Sequence, residues 1–166
     1  MEELSCKTID IDYHPVVLAF VLGVHSHPLF AKLKPELIKA IKKIESDDKL
    51  YVYDSETVYK TVGQAVGHIA NYICPRNINL GEALRKTLAV LASEDYDTRK
   101  FVFVFTDRLD ATSRYDLGKS LNYNVNKDLG CDVKLFISSK CSDGMECVSF
   151  EDAEGIGEKL LGIYKN

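Results

Sequence analysis

The sequence predicts an α/β domain: a doubly wound, mainly parallel six-stranded sheet with helices on both faces. Two observations carry this. Val16–Val24 and Phe101–Phe105 are continuous apolar runs, as expected of central strands buried on both faces. Segments with apolar residues at the helical period alternate with such runs along the chain, broken by one predicted hairpin.

The residues before Tyr13 read as a lead-in segment at a sheet edge, and Val16–Val24 as the first strand. Pro35 followed by Glu36 suits the first turn of a helix whose apolar stripe is Leu37, Ile38, Ile41 and Ile44. Leu50–Tyr53 is a second strand, and Asp54-Ser-Glu turns the chain into a short antiparallel third strand over Thr57–Thr61. Val62, Ala65, Val66, Ile69, Ala70 and Ile73 then recur at the helical period until Pro75 stops them. Asn79 with Glu82 forms a capping pair ahead of the stripe Leu80, Ala83, Leu84, Thr87, Leu88 and Leu91. Phe101–Phe105 is the fourth strand. Ser113 with Asp116 opens a helix with Leu117, Leu121, Val125 and Leu129 inward; Val133–Ile137 and Cys147–Phe150 are strands; Ala153, Ile156, Leu160, Leu161 and Tyr164 mark a last helix. The expected sheet order is 3-2-1-4-5-6 with strand 3 antiparallel. No linker, repeat or low-complexity stretch divides the chain, so residues 1–166 read as a single domain.

Composition narrows the function classes. A 166-residue chain is long enough to bury a core, and its 46% apolar and 28% charged residues are ordinary for a globular protein. The net charge of −4 and scattered basic residues argue against nucleic acid; the densest cluster, Lys39, Lys42 and Lys43, reads as a solvated helix face. No tract reaches the ~20 apolar residues of a membrane span, and Val16–Val24 lacks the length and basic flank of a signal peptide. The five cysteines (Cys6, Cys74, Cys131, Cys141, Cys147) show no Cys-x-x-Cys spacing. Reduced thiols in a cytoplasmic protein are the expectation, although Cys141 and Cys147 bracket a turn that a disulfide could close. The sequence has no Gly-x-Ser-x-Gly elbow, Walker loop or Gly-x-Gly-x-x-Gly, so no nucleophile or cofactor is expected.

Three loops carry a resemblance. The first strand runs into Gly23-Val24-His25-Ser26-His27, the loop before the third helix reads Asn77-Ile78-Asn79-Leu80-Gly81-Glu82-Ala83-Leu84, and the fourth strand ends Phe105-Thr106-Asp107. Their order and placement are similar to those of the von Willebrand factor A domain, from about Val16 to Tyr164. That family holds a divalent ion, usually magnesium, with an Asp-x-Ser-x-Ser loop, a Thr in the second loop and an Asp in the third. Aligned so, the first Asp falls on Gly23, the two Ser on His25 and His27, and the Thr on Ile78; only Asp107 keeps its oxygen, and a helix or loop cap near the strand end is an equal reading of it. Magnesium requires hard oxygen ligands, so the expectation is a degenerate site without metal.

The resemblance implies a protein-binding or assembly module, not an enzyme, with another protein as partner and neither nucleic acid nor membrane. Ligands of open α/β sheets bind at the carboxyl ends of the strands. The expected binding residues are therefore His25, Ser26, His27, Asn77, Asn79, Asp107 and Arg108. The alternative is a small metal-dependent hydrolase using the His25-x-His27 pair with Asp107, as His-x-His after a first strand binds metal in amidohydrolases. Against it, those enzymes are β/α barrels of about 250 residues. His68, the other candidate ligand, falls on a helix away from the loops.

Overall fold

The computed structural model describes residues 16–24, 26–44, 48–53, 61–74, 80–94, 98–107, 131–137, 148–149 and 154–165. Within them lie strands β1 (Val16–Gly23), β2 (Lys49–Tyr53), β3 (Arg99–Thr106), β4 (Cys131–Ile137) and β5 (Val148–Ser149). Four helices accompany them: α1 (His27–Ile41), α2 (Val62–Ala70), α3 (Leu80–Leu91) and α4 (Ile156–Lys165). Every described pairing is parallel, in the order β2-β1-β3-β4-β5, with β5 only two residues long. These strands are 2-1-4-5-6 of the expected order. The expected antiparallel strand over Thr57–Thr61 and the helix carrying Leu117, Leu121, Val125 and Leu129 lie outside the described residues, Thr61 excepted. Thr61 caps α2, its hydroxyl accepting from the Gln64 N–H at 3.1 Å.

Alternation along β1 and β3 builds two unlike cores. One face presents Leu18, Phe20, Leu22, Phe101, Phe103 and Phe105, covered by α1, α2 and α4. Phe20 meets Phe103 edge-on at 5.7 Å, and Phe105 stacks on Phe136 at 5.1 Å. The other face presents the smaller Val17, Ala19, Val21, Val102 and Val104, and α3 packs on it through Leu80, Ala83, Leu84, Leu88 and Leu91. All eight residues of β1 are buried, which is why that segment reads as an unbroken apolar run.

Two helix boundaries differ from expectation. α1 begins at His27, so Pro35 lies inside it instead of in its first turn. An N–H at position 35 would bond the Ala31 carbonyl; Ala31 is exposed, so water can take that carbonyl and the helix tolerates the ring. Starting earlier also adds Phe30 and Leu33 to the buried stripe. α2 stops at Ala70, where the Lys34 ammonium donates to the last helical carbonyl at 2.8 Å. Ile73, expected on the inward stripe, lies beyond the helix and is 77% exposed.

Glu36 ties α4 to α1. Its Oε1 accepts from the Gly155 N–H at 3.0 Å and the Gly157 N–H at 3.1 Å, supplying a negative charge to the amino end of α4. Gly155 has φ +85°, and a Cβ at Gly157 would lie 2.7 Å from the Glu36 carbonyl oxygen. A side chain at Gly155 would strain the backbone, and one at Gly157 would push α4 away from α1. No described helix is long and apolar enough to cross a membrane.

Candidate functional site at the strand carboxyl ends

β1 and β3 pair in register to their last residues, Gly23 against Thr106. The chain segments that leave them therefore start side by side. Ser26 is the N-cap of α1: its hydroxyl accepts from the Leu29 N–H at 3.3 Å and its carbonyl from the Phe30 N–H at 3.0 Å. In a capping box, the third helical residue would return a bond to the cap's own N–H. That position holds Leu29, which has no acceptor. Asp107 takes the role from β3, its Oδ2 accepting from the Ser26 N–H at 2.6 Å across 81 residues of sequence. The carboxylate also sits where the amino end of the α1 dipole favours negative charge.

The other side of the β1 terminus is apolar. Gly23 lies under the first residue of α3: a Cβ there would be 2.7 Å from Leu80 Cδ1 and 3.2 Å from the Phe105 carbonyl oxygen. Leu80 is 3% exposed and belongs to the α3-side core. Where the family's alignment calls for an acid, the space around Gly23 is taken by leucine methyl groups.

Cys74 borders the site. Burial pushes its thiol pKa up, and the Asp107 charge pushes it further, so the thiol stays protonated and is a poor nucleophile. At the end of β2, Tyr53 is 3% exposed, and its phenol oxygen has no hydrogen-bond partner among the described residues. Burial raises its pKa as well.

Of the expected binding residues, Ser26, His27 and Asp107 are described and brought together; His25, Asn77, Asn79 and Arg108 lie outside the described residues. His27 is not a loop residue but the exposed first residue of α1. His68 is on α2, edge-on to Tyr72 at 6.1 Å, and Tyr72 packs on Phe30 at 4.7 Å. Leu80 and Cys74 escaped the sequence reading as site residues. Leu80 reads as an ordinary helix stripe until the strand register places Gly23 beneath it, and a lone cysteine carries no spacing signal.

Among the described residues no group of three or more His, Cys, Asp or Glu could hold a metal ion. Asp107 accepts the Ser26 N–H and Glu82, in the first turn of α3, pairs with Lys86 at 3.4 Å; these carboxylates beside a leucine do not make the shell of hard oxygens that magnesium needs. A recess between the sheet and helices α1 and α4, lined by Leu18, Phe20, Phe103 and Leu160 among others, is wholly apolar and offers no group to orient a substrate.

No protein-family model matches the sequence, and no curated protein resembles it. Among solved structures the chain is similar to an aerotolerance-related membrane protein from Bacteroides fragilis NCTC 9343, solved with multiple mutations to serine. The TM-score is 0.62 at 10% identity, over 91% of this chain and 100% of that one. At that identity the likeness is one of fold alone, and it agrees with an α/β domain built on a parallel sheet.

Proposed function

We propose that this chain is a protein-interaction or assembly module that binds through the loops at the carboxyl ends of its strands, with the family's magnesium site lost. The observation that carries the reading is the Asp107–Ser26 bond. It unites the ends of the two central strands into one polar patch, and that patch contains no described nucleophile or metal cluster. The proposed contact residues are His25, Ser26, His27, Asn77, Asn79, Asp107 and Arg108. The fold likeness supports a binding role by analogy, since a fold alone does not carry a function. A reducing, cytoplasmic setting fits Cys74, which is a free buried thiol. The hydrolase reading has no observation in its favour among the described residues.

The test is cross-linked affinity capture from the source cell, comparing the wild-type chain with a variant carrying His27→Ala, Asn77→Ala and Arg108→Ala. His27 is exposed, and surface substitutions usually change stability by no more than about 0.5 kcal/mol each; circular dichroism of the variant checks that it folds. A partner lost by the variant and retained in chelator supports the proposal. Capture that survives the triple substitution but is abolished at Tyr115, Asn122 and Asn126 moves the site to a helical face. Stoichiometric zinc, lost with His25→Ala, would make the chain a metalloprotein and overturn it.

A further inference from the structure

Resting on the reading that the strand ends form the binding face, we infer that two side chains do there what an ion does in the resembled family. Leu80 fills the space over Gly23, and Asp107 clasps the Ser26 N–H, so the end of β1 and the cap of α1 are held without a cation. Asp107 is thus a positioning residue of the binding face rather than a remnant ligand.

The argument is geometric. An ion-binding loop must bring an oxygen-bearing side chain to the position of Gly23, yet the first added carbon would already lie 2.7 Å from Leu80 Cδ1. Leu80 cannot simply be displaced outward, because it is 3% exposed and part of the core beneath α3. The Phe105 carbonyl closes the other side at 3.2 Å, and it belongs to a central strand. Asp107 meanwhile spends Oδ2 on a backbone N–H that has no acceptor within its own helix. Ser26 is itself fixed by capping α1, so the carboxylate orients the cap, and the cap orients His27 and the first turn. A face built this way is ready before its partner arrives and gives no response to divalent cations.

Amide hydrogen exchange on the full chain tests the inference without requiring a partner. In the wild type, the Ser26 N–H should be protected equally in millimolar magnesium and in chelator. Asp107→Ala should speed its exchange about tenfold or more, as expected for losing a hydrogen bond to a charged group. Protection of the β1 and β3 interior should be retained. Asp107→Asn, which keeps an acceptor oxygen, should fall between the two. If Asp107→Ala does not fold, the asparagine variant and the wild-type magnesium comparison still decide. Slower exchange or a raised melting temperature on adding magnesium would overturn the inference, and so would a Ser26 N–H indifferent to both substitutions. Cation-independent protection together with failed partner capture would fault the proposed function and leave the clasp standing.

Discussion

Glu94 and Asp107 are carboxylates at opposite ends of the sheet, and they are held by different means. Glu94 accepts from the Lys49 ammonium at 2.9 and 3.2 Å and from the Tyr51 hydroxyl at 2.9 Å. Asp107 accepts a backbone N–H and lies at the end where Leu80 covers Gly23. Nearby, Tyr51 and Tyr53 lie two residues apart on the same face of β2. The first has its hydroxyl engaged by Glu94, while the second has no partner among the described residues. The amino end is thus knitted by charge and hydrogen bonds between side chains. Among the described residues, the carboxyl end is closed by apolar packing and a backbone clasp.

The largest effect expected is at the apolar end. Leu80→Ala should cost about 2–5 kcal/mol, as for a fully buried leucine, and Gly23→Ala about 1–3 kcal/mol by overpacking. The two should not add, since the smaller residue at 80 makes room for the methyl at 23. Chemical denaturation of the single and double variants gives the coupling, and strict additivity would break the picture of Leu80 closing over Gly23.

At the other end, Tyr51→Phe should lose about 0.5–1.5 kcal/mol, the net worth of one hydrogen bond, by the same measurement. Burial, and then its bond to Glu94 and that group's charge, push the Tyr51 pKa up to about 12. Because the folded pKa is raised, the stabilisation is intact below the ordinary phenol value near 10 and lost as pH rises toward 12. Absorbance titration of the phenolates should show late-ionising tyrosines, Tyr51 and Tyr53 among them, and Tyr51→Phe should remove one.

Smaller still is the acid-side effect. Burial alone would raise the Glu94 pKa, but its bonds to Lys49 and Tyr51 and the charges of Lys49 and Lys100 outweigh burial and hold it below the usual range. Its stabilisation is therefore present above the ordinary glutamate value and lost as pH falls through the lowered one. Glu94→Gln should flatten this part of the pH–stability curve. The gap should be modest, because the Lys49 side chain is 61% exposed and its ion pair is screened.

The smallest change has the opposite sign. Tyr53→Phe should leave stability unchanged or raise it by up to about 1 kcal/mol, since no described residue partners this buried hydroxyl. A marked loss would mean that this oxygen has a partner and that the two ends are less different than drawn.

How far the sequence could be read follows the same division. β1 was legible because its eight residues are buried on both faces, and α3 because its whole expected stripe is buried. The start of α1 was not. Pro35 is a strong signal for a helix beginning, yet here its ring points from an exposed face, and the operative signal was Ser26 with Pro28 in the first turn. Ile73 continued a periodicity that the backbone had already abandoned at Asn71. At the site, Asp107 reads from sequence as a surviving ligand or as a cap; its bond to the Ser26 N–H is of the second kind, and which helix end it meets depends on the register of β1 with β3. No local pattern encodes the meeting of Leu80 with Gly23. Both residues look like routine apolar or small positions until the sheet brings them together.

Glu36 has a consequence in time. It leaves the ribosome well before Gly155 and Gly157, whose N–H groups it accepts and which follow 119 and 121 residues later. Until they emerge the carboxylate faces water, and Leu18, Phe20 and Phe103 lack the lid that Leu160 and Leu161 provide over them. The helix that closes this core emerges after all the strands it covers, so the nascent domain carries an aromatic face uncovered until α4 arrives. A chain stalled before Gly155 would expose that face, the kind of surface that chaperones hold and aggregation exploits.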